Sequence, residues 1–138
     1  MDFTIDNLPC GYLQFSEDGT IIATNESLVA LLGFAREGLE GQYITLILPK
    51  AGQLFFQSYV FPQLKIQGQL NECYFKLRTS SGKRVPVLSN IHRYQQPNGT
   101  YRYEAIILHM QKRHDLEEAL VRAKSATDKA IGALQKSN

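Results

Sequence analysis

Tryptophan is absent from this 138-residue sequence, and cysteine occurs only twice, at Cys10 and Cys73. Two distant cysteines cannot build a disulfide framework, and a sequence without a C-x-x-C pair offers neither a zinc ribbon nor a thiol-redox motif. We therefore expect both thiols to be reduced and to serve as small apolar side chains within strands.

A strong excess of charge is also lacking, because 15 basic residues are balanced by 13 acidic ones and the net charge is +2. Such a weak field would not gather nucleic acid or acidic lipid. No apolar run approaches the roughly 20 residues that span a bilayer, and the N-terminus lacks a basic stretch followed by an apolar one. The sequence predicts a cytoplasmic protein without a nucleic-acid or membrane partner.

Catalytic motifs are missing as well. One adjacent acidic pair, Glu17 and Asp18, lies in a predicted turn, and the other, Glu117 and Glu118, lies on a predicted solvated helix. Neither pair occupies a cleft that could separate two pKa values. H-E-x-x-H, G-x-G-x-x-G and nucleophile-elbow motifs are absent. The sequence therefore predicts a regulatory domain and no enzyme.

The first third of the chain carries a definite order of elements. After an apolar run, Gly11–Phe15, the pair Asp18-Gly19 predicts a hairpin turn, and a second run, Thr20–Thr24, follows at once. Asn25 then stands at the N-cap position of a short helix whose leucines repeat at i, i+3 and i+4, and Gly33 ends that helix. The pattern predicts strand, turn, strand and short helix.

This block resembles the opening of a PAS domain, with its D-G turn, its second strand ending in Asn and its L-x-x-L-L-G-[FY] helix, here Leu28–Phe34. Arg36–Gly41 is similar to the family's S-x-E-E-L-x-G segment, and Lys83–Val87 to its D-G-x-x-[VI]-P-V turn and strand. The resemblance covers residues 8–111. It implies an α+β fold, in which a five-stranded antiparallel sheet carries short helices and one longer helix on one face around a small cavity, followed by a C-terminal helix.

The rest of the chain is compatible with that layout. Ala51–Ile66 has helical periodicity, with Phe55 and Tyr59 on one face, and Pro62 predicts a kink or break just before it. After Gly68 the period changes to two, and three strands are predicted. Two helical regions between the second and third strands can cover only one face of the resulting sheet.

The resemblance also implies a ligand site beside the longer helix. The residues that we predict to line it are Leu31, Phe55, Tyr59, Phe75, Leu88 and Asn90. The alternative is that these aromatic rings are simply core. On the fourth strand, Val85, Val87 and Ile91 compete with Leu88 and Asn90 for the inward face, and the pattern leaves that choice open.

The cofactor is unknown from the sequence, although two kinds are disfavoured. Flavin photochemistry in the light-oxygen-voltage subgroup uses a Cys in an N-C-R-F-L motif, and the corresponding segment Gly41–Leu46 has no Cys. Haem sensors of the family commonly place an axial His on the long helix, where this chain has none. Covalent flavin and axial-His haem are thus not expected, no metal site is predicted, and a small apolar ligand or no ligand is preferred.

We divide the chain into an N-terminal cap segment, 1–8, a PAS domain, 9–111, and a C-terminal signalling helix, 112–138. The helix is similar to those that join PAS domains to histidine kinase, diguanylate cyclase or phosphatase effectors, including those of two-component systems; the effector would lie in cis outside this chain. The family's D-I-T anchor is replaced by residues 109–111, His-Met-Gln.

A heptad seam runs along that last helix and predicts a short coiled coil or an amphipathic helix docked on the sheet. Its members are Leu116, Leu120, Ala123, Thr127, Ala130 and Leu134. Apolar residues on both faces of the predicted sheet further suggest that the second face is covered, by residues 1–8 or by a second protomer in a homodimer.

Two functions follow from these patterns. The first is a sensor that binds a small ligand in an apolar cavity and relays its occupancy through the C-terminal helix. The alternative is an unliganded PAS dimerisation scaffold for a catalytic region elsewhere.

Overall fold

The computed structural model describes residues 3–110 and 118–124, and its core is a five-stranded sheet in the order β2-β1-β5-β4-β3. Every neighbouring pair is antiparallel. The strands are β1 Gly11–Ser16, β2 Ile21–Thr24, β3 Gln69–Arg78, β4 Arg84–Gln95 and β5 Tyr101–His109. The predicted α+β fold is thus confirmed.

Most helices lie between β2 and β3, as the sequence predicts. They are α2 Glu26–Leu32, α3 Arg36–Leu39, a 3-10 turn Ile44–Ile47, α4 Lys50–Phe55, a π turn Phe56–Val60 and α5 Phe61–Gln67, while α1 Phe3–Asp6 precedes the sheet. We call the continuous segment Lys50–Gln67 the long helix. Residues 118–124 are helical, and the other parts of the predicted signalling helix lie outside the described residues.

Pro62 does not end the long helix. The backbone instead widens into the π turn, in which the N–H of Phe61 bonds to the carbonyl of Phe56. Because Pro62 has no N–H and its ring crowds the carbonyl four residues earlier, the α-helical bond cannot form there, and the π pattern accommodates the proline without a break. The kink or break predicted just before Pro62 takes the form of this π turn, and the helix continues beyond it.

Asn25 fastens the beginning of the domain. Its side-chain oxygen accepts the N–H groups of Leu28, at 3.1 Å, and Tyr12, at 2.9 Å. Its amide nitrogen donates to the carbonyls of Ile5 and Cys10, both at 2.9 Å. The predicted N-cap is present, and the same fully buried side chain also joins β1, α1 and α2.

The two edges of the sheet differ. The edge of β2 is covered, because the N–H of Ile21 bonds to the carbonyl of Gln42 at 2.7 Å and the N–H of Ile44 bonds to that of Gly19 at 2.8 Å. Gly19, with φ of 87°, occupies the predicted Asp-Gly turn. At the other end of the sheet, β3 has no further strand beside it in the described chain.

Burial assigns the two sheet faces. Val87 and Ile91 are buried under the helices, whereas Leu88 and Asn90 alternate with them and belong to the outer face. Ile106 and Leu108, also on the outer face, are each 45% exposed. The choice left open by the sequence is therefore settled in favour of the valines and Ile91.

The described part of the N-terminal segment contacts the beginnings of α2 and α3. Asp6 forms an ion pair with Arg36 at 2.7 Å, and the carbonyl of Leu8 accepts a hydrogen bond from the Ser27 hydroxyl at 2.9 Å.

Across residues 3–110 and 118–124, none of the helices combines the length and apolar character that a bilayer crossing requires.

Candidate functional site

Aromatic rings fill the space between the inner sheet face and the long helix. Phe15 stacks on Tyr103 with ring centroids 5.0 Å apart, and Phe61 meets both rings edge-on. The cavity that remains, which we call the core cavity, has a volume of about 10 Å³. It can hold no more than about one water molecule.

Phe56 and Phe75 form part of the wall of that core cavity. Phe56 comes from the first position of the π turn and Phe75 from β3, and their rings meet edge to face with centroids 5.1 Å apart. Both side chains are buried. π turns often mark functional segments of helices, and this contact joins such a turn to the sheet.

A second space, which we call the turn cavity, lies between the β1–β2 turn and the long helix and measures about 170 Å³. Its lining is aromatic at one end and polar at the other. The residues are Glu17, Asp18, Gly19, Tyr43, Ile44, Thr45, Leu48, Gln53, Phe56, Gln57 and Phe61. Phe56, together with Ile44 and Leu48, lines both this cavity and the core cavity.

An ion pair stands at the polar end of the turn cavity. Glu17 accepts hydrogen bonds from the Arg93 guanidinium at 2.9 Å and from the Tyr103 hydroxyl at 3.1 Å. The Arg93 guanidinium also lies 3.6 Å from the centre of the Tyr101 ring. Burial, and next the bond to Glu17, raise the pKa of Tyr103. Glu17 is thus largely compensated by its own neighbours.

A third space, which we call the edge cavity, lies between α4 and β3 and measures about 240 Å³. Its residues are Pro49, Ala51, Gly52, Phe55, Tyr74, Phe75, Lys76 and Arg84. Phe75 separates it from the core cavity. The Phe56–Phe75 contact therefore stands between the packed core and a cavity on either side of it.

The predicted site residues divide into three groups. Phe55 and Phe75 come together in the edge cavity. Leu31 is half-buried and packs against the core without lining any of the three cavities described. Tyr59, Leu88 and Asn90 do not face the core: the inward orientation predicted for Tyr59 is wrong, and the choice left open on β4 goes against Leu88 and Asn90.

The reasons for these errors are geometric. Tyr59 is 46% exposed and stacks on Phe55 from outside, because the long helix turns Phe56, Val60 and Leu64 inward instead. The π turn alters the helical phase on which the prediction relied. Leu88 and Asn90 belong to the outer sheet face, as described above.

Asn90 has a structural task. Its side-chain oxygen accepts the N–H of Glu72 at 2.7 Å, at a bulge of β3 where Glu72 has φ of 55°.

Sequence reasoning missed Phe56 and Phe61, whose only signal was their position next to Phe55 and Pro62. Within the described residues, no group of three His, Cys, Asp or Glu side chains could hold a metal ion.

No family model matches the chain. Its fold, however, matches solved PAS domains. One, from Colwellia psychrerythraea, gives a TM-score of 0.72 at 17% identity and covers 79% of this chain and 92% of that one. Another, the ethanol complex of a PAS domain from a LuxR-family transcriptional regulator of Burkholderia thailandensis, gives 0.62 at 16%, with 78% and 98% covered. The chain therefore has the fold of a PAS domain.

A curated relative is closer in sequence. The phosphoserine phosphatase RsbP of Bacillus subtilis (strain 168) is 36% identical over 126 residues, which are 91% of this chain. Those residues are 31% of RsbP, so the chain spans about a third of the length of this relative.

Proposed function

We propose that this PAS domain regulates a phosphatase-type effector in cis, and that a small ligand beside the long helix sets the state of that effector. The likeness to part of a phosphoserine phosphatase supports this choice of effector over a histidine kinase or a diguanylate cyclase. The match leaves about two thirds of RsbP uncovered, which is room for a catalytic region. In this proposal the chain itself performs no catalysis.

The observation that carries the sensor proposal is the Phe56–Phe75 contact between three cavities. A ligand that displaces either ring would change the packing of the π turn, where helical hydrogen bonds are already rearranged. Binding regulates only if the ligand favours one arrangement of the helix over another, and in this proposal displacement of one ring of the pair creates the second arrangement.

The ligand must be small. Cavities of about 170 and 240 Å³ are below the usual range for drug-sized ligands, and the core cavity offers space only after a ring moves. The Burkholderia PAS domain, whose solved structure contains ethanol, is a precedent for such a size. The mostly apolar lining favours an apolar organic body.

The relay would pass from the end of β5 into the C-terminal segment 112–138. Helical residues 118–124 include Leu120, a member of the predicted seam, which is 61% exposed. An apolar seam residue exposed in one protomer is suited to contact with a second protomer or with the effector. The cytoplasmic location expected from the sequence remains a prediction.

The outer sheet face supports a homodimer. Ile106 and Leu108 on β5 stand beside Leu88 on β4, and together they expose apolar surface at the middle of the sheet. A second copy of the same face would cover this surface, in line with the dimer predicted from the sequence.

The unliganded scaffold is the second candidate, and the core cavity of about 10 Å³ favours it. Native and denaturing mass spectrometry of the purified 138-residue chain, together with its absorption spectrum, separates the two candidates. The sensor predicts a co-purifying small molecule whose occupancy falls in Phe56→Trp, because the larger ring changes the Phe56–Phe75 contact beside the cavities. A colourless and empty protein in both samples contradicts the sensor and favours the scaffold.

A further inference from the structure

We propose that the edge cavity selects small organic carboxylates with an apolar or aromatic body. This inference rests on the proposed sensor function, and it specifies that the sensed ligand is negatively charged. Three features of the cavity carry it: an apolar wall, cations at the rim and a backbone donor on the open side of β3.

The wall is built for an apolar body. Phe55 from α4, Phe75 from β3 and Pro49 before α4 contribute apolar surface to a space of about 240 Å³. Phe75 also reaches the core cavity, so a ring held here touches the contact that the sensor proposal requires. Aromatic walls favour a flat or ring-shaped ligand.

The rim is cationic. Lys76 and Arg84 line the cavity, and its lining contains no acidic side chain. The ion pairs of the described residues involve Arg36 and Arg93, and neither Lys76 nor Arg84 takes part in one. Two cations beside apolar surface, in a cavity lining without an acidic side chain, are complementary to an anionic ligand.

The strand register adds to this charge. Arg84 on β4 stands directly opposite Arg78 on β3, and like charges in such a pair disfavour sheet pairing. The guanidinium of Arg78 turns instead to the carbonyl of Leu46, at 3.1 Å. A bound carboxylate near Arg84 would reduce the repulsion between the two arginines.

The backbone of Lys76 faces the same opening. Lys76 stands opposite Pro86 in the β3–β4 pair. Pro86 has no N–H, and its carbonyl points away from β3 and accepts the N–H of Met110, on the β5 side, at 2.9 Å. In an antiparallel ladder the N–H and C=O of one residue point to the same side, so Lys76 and Pro86 form a pair without hydrogen bonds. The N–H of Lys76 therefore points away from β4, to the open edge of β3, where it can donate to a carboxylate.

The turn cavity has the opposite character. Its charged lining residues, Glu17 and Asp18, are acidic. An anion is thus expected at the edge cavity and not at the turn cavity, which gives the proposal a spatial signature.

The test compares three probes that share one ring: benzoate, benzyl alcohol and benzylamine. Each is titrated at neutral pH into the 138-residue chain, with amide NMR shifts as the readout. We expect benzoate to bind and to shift the amides of Gly52 and Lys76, and benzyl alcohol to bind at least about tenfold more weakly, a loss of about 1.4 kcal/mol. Benzylamine should bind least.

Substitutions of Lys76 and Arg84 test whether the cations at the rim are responsible for benzoate binding. Lys76→Gln and Arg84→Gln should each weaken benzoate about fivefold or more, whereas Lys65→Gln, on the exposed side of α5, should leave it within about twofold. Circular dichroism of each variant checks the fold. Absence of benzoate binding, shifts confined to the turn cavity or equal loss in the Lys65 variant overturns the proposal.

Failure of the charge preference and failure of the sensor function give different results. If benzyl alcohol binds as tightly as benzoate and moves the same amides, the apolar site stands and the carboxylate preference is wrong. If benzoate binds at the rim but leaves the amides of the π turn unshifted, the carboxylate site stands and the ligand-sensing function loses its support.

Discussion

Phe56 of the π turn and Phe75 of β3 meet edge to face, 5.1 Å apart, and this pair joins the long helix to the edge strand. Each ring touches the core cavity on one side and a larger cavity on the other. The contact can therefore report on the contents of the cavities and on the shape of the helix.

Removal of the ring from β3 should be costly. Phe75→Ala deletes a buried ring and should lower the free energy of unfolding by about 3 kcal/mol or more, because the wall between the core and edge cavities is lost. Denaturant unfolding followed by circular dichroism gives the value. Leu54→Ala, at a position 65% exposed on α4, is the control and should change it by less than about 1 kcal/mol. Comparable losses in both variants would mean that Phe75 is not a core residue.

Asn25 should be the most sensitive polar residue near the N-terminus. Asn25→Ala removes the cap of α2 and leaves the N–H of Tyr12 without its acceptor, so we expect a loss of about 2–3 kcal/mol of unfolding free energy. Asn98→Ala, in the exposed β4–β5 turn, is the matched control with an expected loss below about 1 kcal/mol. A tolerant Asn25→Ala variant would contradict the assignment of Asn25 as the joint of β1, α1 and α2.

Alkaline pH should destabilise the domain through two tyrosines. Burial, and then hydrogen bonds to Glu104 and Glu17 respectively, raise the pKa of Tyr12 and of Tyr103 above the ordinary value. A tyrosine whose folded pKa is raised contributes stability that is complete below the unfolded pKa of about 10 and is lost as pH rises towards the folded pKa.

The unfolding free energy should therefore fall as pH rises above about 10. Tyr12→Phe and Tyr103→Phe should each make that fall shallower, whatever their effect at neutral pH. Tyr43→Phe, at a position 60% exposed, is the control whose slope should equal that of the unsubstituted chain. Identical slopes in all four proteins would contradict the assigned role of these hydroxyls.

The proposed homodimer predicts a site-specific effect of charge. Leu108→Glu places a carboxylate on the outer sheet face and should shift the mass measured by light scattering from dimer to monomer. Ile66→Glu, at a position 77% exposed on α5, should leave the dimer intact. A monomeric unsubstituted chain at working concentration, or equal dissociation in both variants, would contradict the dimer.

Local chemistry made much of the fold predictable. Asp18-Gly19 requires a tight turn, Asn25 has the side chain that an N-cap needs, and alternation after Gly68 indicates a strand with one wet face. These signals depend on residues close in sequence. The PAS resemblance then supplied the expectation of one five-stranded antiparallel sheet with helices on one face, whereas the order of the strands came from the structure.

The site was less predictable because its geometry depends on exceptions to regular periodicity. The π turn before Pro62 moved Phe56 inward and left Tyr59 exposed. On β4, apolar residues occupy both faces, and tertiary packing determined that Val87 and Ile91 would be inside. Neither effect is visible in a helical or alternating pattern.

The most direct test of the regulatory role replaces the matched segment of RsbP with this chain and measures phosphatase activity on a phosphoserine substrate. Phe56→Trp is then compared with the unsubstituted chimera, since the turn cavity beside Phe56 has space for the larger ring. We predict an active chimera whose activity changes about fivefold or more in Phe56→Trp, with Leu54→Ala as an unchanged control. An active and folded chimera whose phosphatase activity is the same with and without Phe56→Trp would contradict the sensor account and leave the scaffold in its place.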